Sequence, residues 1–174
     1  YGLTETSPIV GIETDENNRL GSIGKAISNV EVKIEDEDEK GIGELLVKGP
    51  NVMLGYYENE EMTTAVMKDG YFHTGDVGYL DKDGYLFITG RIKNVIVLEN
   101  GKKVYPEEVE LKNEKLEYVK EVMVFNEKEG KKDCVKAKVV VDTEIISVSD
   151  AKTLFEKDIK KINKHLAKYK QVQD

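Results

Sequence analysis

The segment from Tyr71 to Glu110 constrains the fold and chemistry of this chain more than any other. A carboxylate, Asp76, stands between two glycines, and the turn sequence Asp81-Lys82-Asp83-Gly84 precedes a strand pattern that ends at Arg91. The segment therefore predicts a β-hairpin with an acid on one side and a guanidinium on the other. Such a pair suits a sugar-phosphate ligand, because the carboxylate accepts from paired hydroxyls and the arginine offers a planar fork of donors.

The charge of the chain changes sign near Arg91. Residues 1–90 carry 7 Lys and Arg against 18 Asp and Glu, whereas residues 91–174 carry 19 against 16. This change predicts a domain boundary there, and 174 residues allow one ordinary domain or two small ones. The net charge of −8 argues against non-specific nucleic-acid binding. No apolar run approaches the length of a transmembrane segment.

The chain has one cysteine, Cys134, which cannot form an internal disulfide. A reducing cytoplasm is therefore the predicted location. Cys134 opens an alternating apolar and polar run with no histidine nearby, so we expect a buried strand residue rather than a nucleophile.

Residues before Arg91 have a predominantly β pattern, and the residues after it mix strands with helices. The predicted strands of the first part are Asn29–Glu35, Gly43–Lys48, Tyr79–Leu80 and Tyr85–Thr89, with a short helix at Glu58–Met67. The second part predicts a strand at Asn94–Leu98, a turn at Asn100-Gly101, a helix at Pro106–Leu116, strands at Val119–Asn126 and Cys134–Asp142 around a polar loop at Glu127–Asp133, and a final helix from Ser149.

The final helix is predicted to be amphipathic, with an apolar face formed by Phe155, Ile159, Ile162 and Leu166. Its other face is rich in lysine. We interpret these lysines as the solvated side of the helix, and a peripheral membrane contact or an acidic partner stays open as an alternative.

Three motifs give the chain a family resemblance. Tyr1-Gly2-Leu3-Thr4-Glu5 fits the signature YGxTE, Gly43-Glu44-Leu45 fits a GEL segment, and Thr74-Gly75-Asp76 fits a TGD motif. Together they resemble the adenylate-forming superfamily of acyl-CoA synthetases, luciferases and nonribosomal-peptide adenylation domains. The LENGKKVYP loop and the Pro106-Glu107-Glu108 helix start look most like a bacterial long-chain fatty-acid–CoA ligase.

The resemblance implies a role for each motif residue. Tyr1 stacks on adenine, Thr4 contacts a phosphate, Asp76 accepts from both ribose hydroxyls, and Arg91 reaches the ribose. Glu5 is implied as a ligand of Mg²⁺, which prefers hard carboxylate oxygens. We assign no catalytic role to either histidine of the chain.

Two further positions are implied to act in a domain rotation. Lys93 matches the hinge at which the C-terminal domain swings between the adenylation and thioester-forming poses. Gly101 matches a glycine loop that lines the pantetheine channel of CoA. The implied organisation is α+β: residues 1–90 form the β-rich end of an N-terminal domain (a β-barrel subdomain), residues 91–93 the hinge, and residues 94–174 a mobile C-terminal domain with a short antiparallel sheet and flanking helices.

The same resemblance predicts that the chain is a fragment. A phosphate loop, an acyl pocket and a catalytic Gly-Lys motif have no match in it, so we expect the chain alone to be inactive and assign no catalytic residue within it. Its parent is expected to be an AMP-forming acid–thiol ligase that uses a carboxylic acid (a fatty acid by resemblance), ATP, CoA and Mg²⁺. An amino-acid-activating adenylation domain and a non-catalytic nucleotide-binding homologue remain alternatives. The oligomeric state and the chain length of the acid are not predicted.

Overall fold

The computed structural model describes residues 1–16, 18–130 and 132–173, without the side chains of Glu129 and Lys132. The chain forms two compact units, Tyr1–Lys93 and Asn94–Asp174. Both units mix helices with short antiparallel sheets, which confirms the predicted α+β class. In the part of the chain that the structure describes, every helix is too short or too polar to cross a bilayer.

The first unit is built on a five-stranded antiparallel sheet. Four of its strands are ordered β3-β4-β6-β5, and β7 pairs with β6. The elements of this unit are β1 (Gly11–Ile12), β2 (Lys25–Ala26), β3 (Glu31–Glu35), β4 (Gly43–Lys48), α1 (Glu60–Val66), β5 (Met67–Lys68), β6 (Tyr71–Leu80) and β7 (Leu86–Arg91), with a 3-10 turn at Thr4–Thr6. A second 3-10 turn, Ile92–Asn94, spans the boundary between the two units in the sequence. The apolar residues Leu45, Val47, Phe72 and Leu86 fill the core of the unit.

The hairpin between β6 and β7 is held by its turn residues. The Oδ1 atom of Asp81 accepts from the backbone amides of Asp83 and Tyr85, each at 2.9 Å. Gly84 supplies the positive φ of +81° that the turn requires. Arg19 donates to the carboxylates of both Asp81 and Asp83, and this clamp fixes the hairpin tip.

The sheet of the first unit contains an irregularity that matters for the site. Leu46 of β4 pairs with His73 of β6, but Glu44 pairs with Val77, so β6 carries two extra residues over this interval. Gly75 lies in the extra segment with φ +70°, a conformation that costs glycine little. Such a bulge bends a strand and redirects its side chains.

The second unit packs helices against a long antiparallel hairpin. Its elements are β8 (Ile96–Val97), β9 (Lys103–Val104), α2 (Pro106–Asn113), β10 (Val119–Glu129), β11 (Lys132–Val141), α3 (Val148–Asn163) and a 3-10 turn at Lys168–Lys170. Strand β10 pairs with β11, and β8 pairs with β9. The core residues are Leu98, Val104, Val109, Val124, Val135, Ile159, Leu166 and Val172.

Several predicted elements have different ends in the structure. The helix predicted at Glu58–Met67 is confined to Glu60–Val66, because the side chain of Asn59 caps it by accepting from the amide of Met62 and Met67 turns into β5. The predicted loop Glu127–Asp133 was too long, since β10 reaches Glu129 and β11 starts at Lys132. Lys131 of that loop lies outside the described residues.

The final helix confirms its predicted apolar face. It begins at Val148, and Ser147 caps it by accepting from the amide of Asp150 at 3.2 Å. Phe155, Ile159 and Ile162 pack into the core, while Leu166 packs there from beyond the end of the helix. Cys134 is 1% exposed within β11, as predicted for a buried strand residue.

Candidate functional site

Asp76 and Arg91 form the centre of the candidate site. They are register partners on β6 and β7, and Nε of Arg91 donates to Oδ1 of Asp76 at 2.7 Å. The side chain of Asp76 is buried at 8% exposure, whereas that of Arg91 is 43% exposed. The bond to Asp76 raises the pKa of the Arg91 guanidinium. The hairpin therefore presents a fixed acid beside a guanidinium that reaches solvent.

The second oxygen of the same carboxylate is also engaged. The hydroxyl of Tyr1 donates to Oδ2 of Asp76 at 2.5 Å. Burial raises the pKa of this hydroxyl, and its bond to Asp76 raises it further. This contact brings the first residue of the chain to the TGD motif, and sequence reasoning did not anticipate it because it joins residues that are far apart in the chain.

The backbone that carries Asp76 is held by two side chains. Oγ1 of Thr74 donates to the carbonyl of Leu45 at 2.9 Å and accepts from the amide of Asp76 at 3.0 Å. Oε1 of Glu44 accepts from the amide of Gly75 at 3.0 Å. These bonds tie the bulged part of β6 to β4. The motifs in the sequence assigned no site role to Glu44, and this bond gives it a specific task next to the site.

Glu5 lies in the 3-10 turn Thr4–Thr6 and is oriented by a tyrosine. Oη of Tyr56 donates to Oε1 of Glu5 at 2.9 Å, and the amide of Met53 donates to the carbonyl of Glu5 at 2.8 Å. Burial raises the pKa of Tyr56, and the bond to Glu5 adds to this shift. One oriented carboxylate fits Mg²⁺, which commonly binds through one or two carboxylates plus substrate phosphates. Thr4 occupies the same turn, with its carbonyl accepting from the amide of Ser7.

A cavity of about 490 Å³ opens in the first unit beside these groups. Glu5, Tyr56, Arg91 and Lys93 contribute to its lining, and His73 and Glu44 form another part of the wall. The structure thus brings the predicted Mg²⁺ ligand, the predicted ribose arginine and the predicted hinge lysine to one cavity. The described lining does not include Tyr1, Thr4 or Asp76.

Gly101 lies in the second unit, in a tight turn. Its amide donates to the carbonyl of Leu98 at 2.8 Å, and the amide of Leu98 donates to the carbonyl of Lys102 at 3.0 Å. Its φ is +77°, and a Cβ added here would meet no atom within 4 Å. Glycine is therefore favoured by the backbone conformation of the turn and not by crowding.

Lys170, near the end of the chain, is buried at 2% exposure and paired with Glu108. Its Nζ also lies 5.6 Å from the centre of the Tyr105 ring. This enclosed pairing is the arrangement of a structural lysine.

Comparison with known proteins connects this geometry to a family. Residues 1–57 match the family model described as AMP-binding enzyme. A 2-succinylbenzoate–CoA ligase of Listeria monocytogenes is 37% identical over 161 residues, which are 91% of this chain and 33% of that protein. A long-chain-fatty-acid–CoA ligase of Salmonella typhimurium is 43% identical over 116 residues, which are 63% of this chain and 20% of that protein.

Solved structures give a similar result. The O-succinylbenzoate coenzyme A synthetase of Bacillus subtilis in complex with AMP aligns with a TM-score of 0.82 and 32% identity, over 99% of this chain and 35% of that one. The same enzyme in complex with ATP and magnesium aligns with a TM-score of 0.80 and 32% identity. The chain spans about a third or less of the length of these relatives.

Proposed function

Because this chain corresponds to the C-terminal region of acyl-CoA ligases of the AMP-binding superfamily, we propose that it is part of an ATP-dependent acid–thiol ligase. In this proposal the parent protein joins a carboxylate to AMP with release of pyrophosphate, and then transfers the acyl group to CoA. Matches to two kinds of CoA ligase support the proposal.

The observation that carries the proposal is the buried carboxylate of Asp76, held between Tyr1 and Arg91. Each carboxylate oxygen has two lone pairs, so both oxygens retain acceptor capacity for ribose hydroxyls. Two charge-assisted hydrogen bonds of this kind contribute about 1.5–3 kcal/mol each where water is excluded. Among the described residues, no hydrogen bond engages the two terminal nitrogens of Arg91, and these donors are suited to a ribose or phosphate oxygen.

Glu5 would hold Mg²⁺ in this site. Tyr56 fixes Oε1 of Glu5, so the carboxylate presents one oriented edge to the cavity. A bound Mg²⁺ supplies neutralisation of negative charge on the nucleotide phosphates, which favours attack by an anionic carboxylate. Thr4, in the same turn, is proposed to donate to a phosphate oxygen, and Tyr1 to place its ring against adenine.

Lys93 and Gly101 are proposed to serve the second half-reaction. Lys93 lies in the short 3-10 turn Ile92–Asn94 that follows β7, a suitable place for a change of backbone angles. Gly101 leaves the turn Leu98–Lys102 without a side chain, so a pantetheine arm could approach the backbone closely.

The acid that is activated is proposed to be a fatty acid, in line with the 43% identity to a long-chain-fatty-acid–CoA ligase. An aromatic acid such as o-succinylbenzoate is the second candidate. Its support is the 37% identity to a 2-succinylbenzoate–CoA ligase over 91% of this chain. The motifs of the present chain bind the nucleotide in either case and do not depend on the acid.

A substrate panel tests the proposal. The full-length protein would be given ATP, Mg²⁺ and single carboxylates, including palmitate, octanoate, o-succinylbenzoate and several amino acids, with and without CoA. Pyrophosphate release and acyl-CoA formation are measured separately. We expect pyrophosphate release with one class of acid. When CoA is present, the same acid should also be converted to its CoA thioester. Release with amino acids alone would favour an adenylation domain, and no release with any acid would contradict an enzymatic role.

A further inference from the structure

A cluster of three potential metal ligands lies on the main sheet of the first unit. Glu35 comes from β3, Glu44 from β4 and His73 from β6, so three neighbouring strands contribute one ligand each. One ligand atom from each residue lies within 4.8 Å of those from the other two. Nδ1 of His73 is 3.1 Å from Oε2 of Glu44 and 3.9 Å from Oε2 of Glu35.

The strand register places the two glutamates directly opposite each other. Glu35 and Glu44 are partners in the antiparallel ladder of β3 and β4. Two like charges in this position normally destabilise a sheet. Among the described residues, no lysine or arginine forms an ion pair with either carboxylate, and the imidazole of His73 lies within 4 Å of both. The pair is therefore short of positive charge.

The bulge in β6 supports the same interpretation. The irregular pairing of Glu44 and Leu46 with β6 begins beside His73, and bulges often redirect a side chain next to a functional site. The side chains of His73 and Glu44 are 14% and 18% exposed, whereas that of Glu35 is 40% exposed. The cluster thus has two sheltered ligands and one that can move at its edge.

We propose that Glu35, Glu44 and His73 bind one divalent transition-metal ion of the zinc type. Imidazole nitrogen and carboxylate oxygen are both zinc ligands, at distances of about 2.0–2.2 Å. In a tetrahedral site these bonds place the ligand atoms roughly 3.4 Å apart, so His73 and Glu44, whose ligand atoms are 3.1 Å apart, need to separate only slightly. Glu35 has to turn inward, which its exposure permits. Three protein ligands leave a fourth position for water.

Glu44 also has an outer partner that suits this role. Its other oxygen, Oε1, accepts from the amide of Gly75 at 3.0 Å. Hydrogen bonds of this kind orient a ligand and raise metal affinity. The proposed ion would therefore join three strands beside the bulged segment of β6, and two of its ligands, Glu44 and His73, line the same cavity as Glu5. It is separate from the Mg²⁺ proposed at Glu5 and requires no nucleotide, so it goes beyond the proposed function.

The test is a titration of the 174-residue chain, without a histidine tag, with Zn²⁺ and Co²⁺ in metal-free buffer. Excess Mg²⁺ is included to saturate sites formed by oxygen alone. We expect one Zn²⁺ per chain by calorimetry, and a Co²⁺ absorption band typical of low coordination number. Glu35→Gln and His73→Gln should weaken Zn²⁺ binding by about tenfold or more. Glu37→Gln and His165→Gln are the matched controls, since both residues are exposed, and they should bind Zn²⁺ like the unchanged chain.

A second measurement keeps the test decisive if a variant folds poorly. The chain has only two histidines, so imidazole nitrogen NMR of the unchanged chain can follow each one separately. We expect Zn²⁺ to shift Nδ1 of one histidine, and His165→Gln to leave that shift in place. Binding that is absent, or that Glu35→Gln and His73→Gln do not weaken, would overturn the proposal and leave His73 and Glu44 as a hydrogen-bonded pair.

Discussion

Arg91 faces Asp76 across two antiparallel strands, and its Nε atom lies 2.7 Å from the buried carboxylate. The arginine uses its innermost nitrogen for this bond and keeps the outer end of the guanidinium toward solvent. The pair therefore holds the acid in a fixed orientation while the two outer nitrogens remain suited to a ligand.

Asp76→Ala should weaken nucleotide binding far more than it affects folding. The lost ribose contacts correspond to a reduction in AMP affinity of about a hundredfold or more. The side chain of Arg91 is 43% exposed, so water can solvate it after the acid is removed. AMP affinity and the melting temperature of the full-length protein are measured together, with Asp76→Asn as the isosteric comparison. A collapsed melting temperature with normal affinity in the folded fraction would make Asp76 a structural residue.

Tyr56→Phe should weaken the response to Mg²⁺, because the hydroxyl of Tyr56 orients Glu5 at 2.9 Å. We expect the Mg²⁺ concentration for half-maximal pyrophosphate release to rise by about tenfold or less, the effect of losing one hydrogen bond of about 1 kcal/mol. Tyr57→Phe is the matched control, since Tyr57 is 90% exposed. If pyrophosphate release by the two variants depended on Mg²⁺ concentration in the same way, the orientation of Glu5 would not require this bond.

Gly101→Leu should slow thioester formation and spare adenylation. Space is open around Gly101, so a leucine side chain would meet no neighbouring atom near its Cβ. In the absence of CoA the substitution should therefore lower the free energy of unfolding by only about 1 kcal/mol, the cost of a non-glycine residue at φ +77°. Gly101→Asn tests the backbone alone, because asparagine tolerates this conformation. Gly84→Leu repeats the change at another open turn glycine with φ +81°. Pyrophosphate exchange and acyl-CoA formation are compared in each preparation, and equal loss in both assays for Gly101→Leu would contradict a role in the CoA channel.

Lys170→Met should destabilise the second unit by about 2 kcal/mol. The change removes the partner of Glu108 and keeps most of the side-chain volume, and breaking a buried ion pair costs more than breaking an exposed one. We expect less than the full cost of a buried pair because the side chain of Glu108 is 29% exposed. Lys161→Met removes a pair in which the lysine is 75% exposed and its partner Asp158 is 14% exposed, and it should cost less than about 1 kcal/mol. Urea unfolding of both variants provides the comparison.

The free energy of unfolding should fall at alkaline pH because of the buried hydroxyl of Tyr118. Burial, followed by the hydrogen bond to Asp158, raises the pKa of Tyr118 to about 12. The unfolded chain releases this proton near pH 10, whereas the folded chain keeps it until about pH 12. Between these values the unfolded state binds fewer protons, so the free energy of unfolding falls as pH rises.

Tyr118→Phe tests whether this tyrosine causes the fall in the free energy of unfolding at alkaline pH. The variant lacks the titrating hydroxyl and should lose less stability between pH 9 and pH 11.5 than the unchanged chain, by about 2 kcal/mol. At neutral pH it should be less stable by about 1 kcal/mol, since it lacks the bond to Asp158. Parallel curves for the two proteins over this range would rule out the titration of Tyr118 as a cause.

Local patterns in the sequence were sufficient to predict the hairpin and the amphipathic helix. The turn Asp81–Gly84 depends on contacts within the turn, and the spacing of Phe155, Ile159 and Ile162 follows the helical period. Element ends were less predictable, because the cap at Asn59 and the start of β5 decide where α1 lies. Propensity alone does not locate such competing contacts.

The contacts that build the candidate site could not be read from the sequence in the same way. Tyr1 reaches Asp76, and Glu44 reaches Gly75 and His73, only because the strand order brings distant segments together. The bulge of β6 has a single local signal, the glycine at position 75, which an ordinary turn would equally use. The resemblance supplied the motif residues, and the register of the sheet supplies their partners.

Gly78 limits where residues can be inserted into the hairpin of β6 and β7. A Cβ at this position would lie 2.2 Å from the carbonyl oxygen of Phe87, so only glycine fits against β7 there. Gly78 therefore keeps β6 and β7 in close contact at this point, and Asp76 lies two residues before it, beyond a shift in the pairing of the two strands between Val77 and Gly78. Extra residues in the turn Asp81–Gly84 would be absorbed at the hairpin tip. A single residue inserted between Asp76 and Gly78 would instead direct the carboxylate to the opposite face of the sheet, away from Arg91.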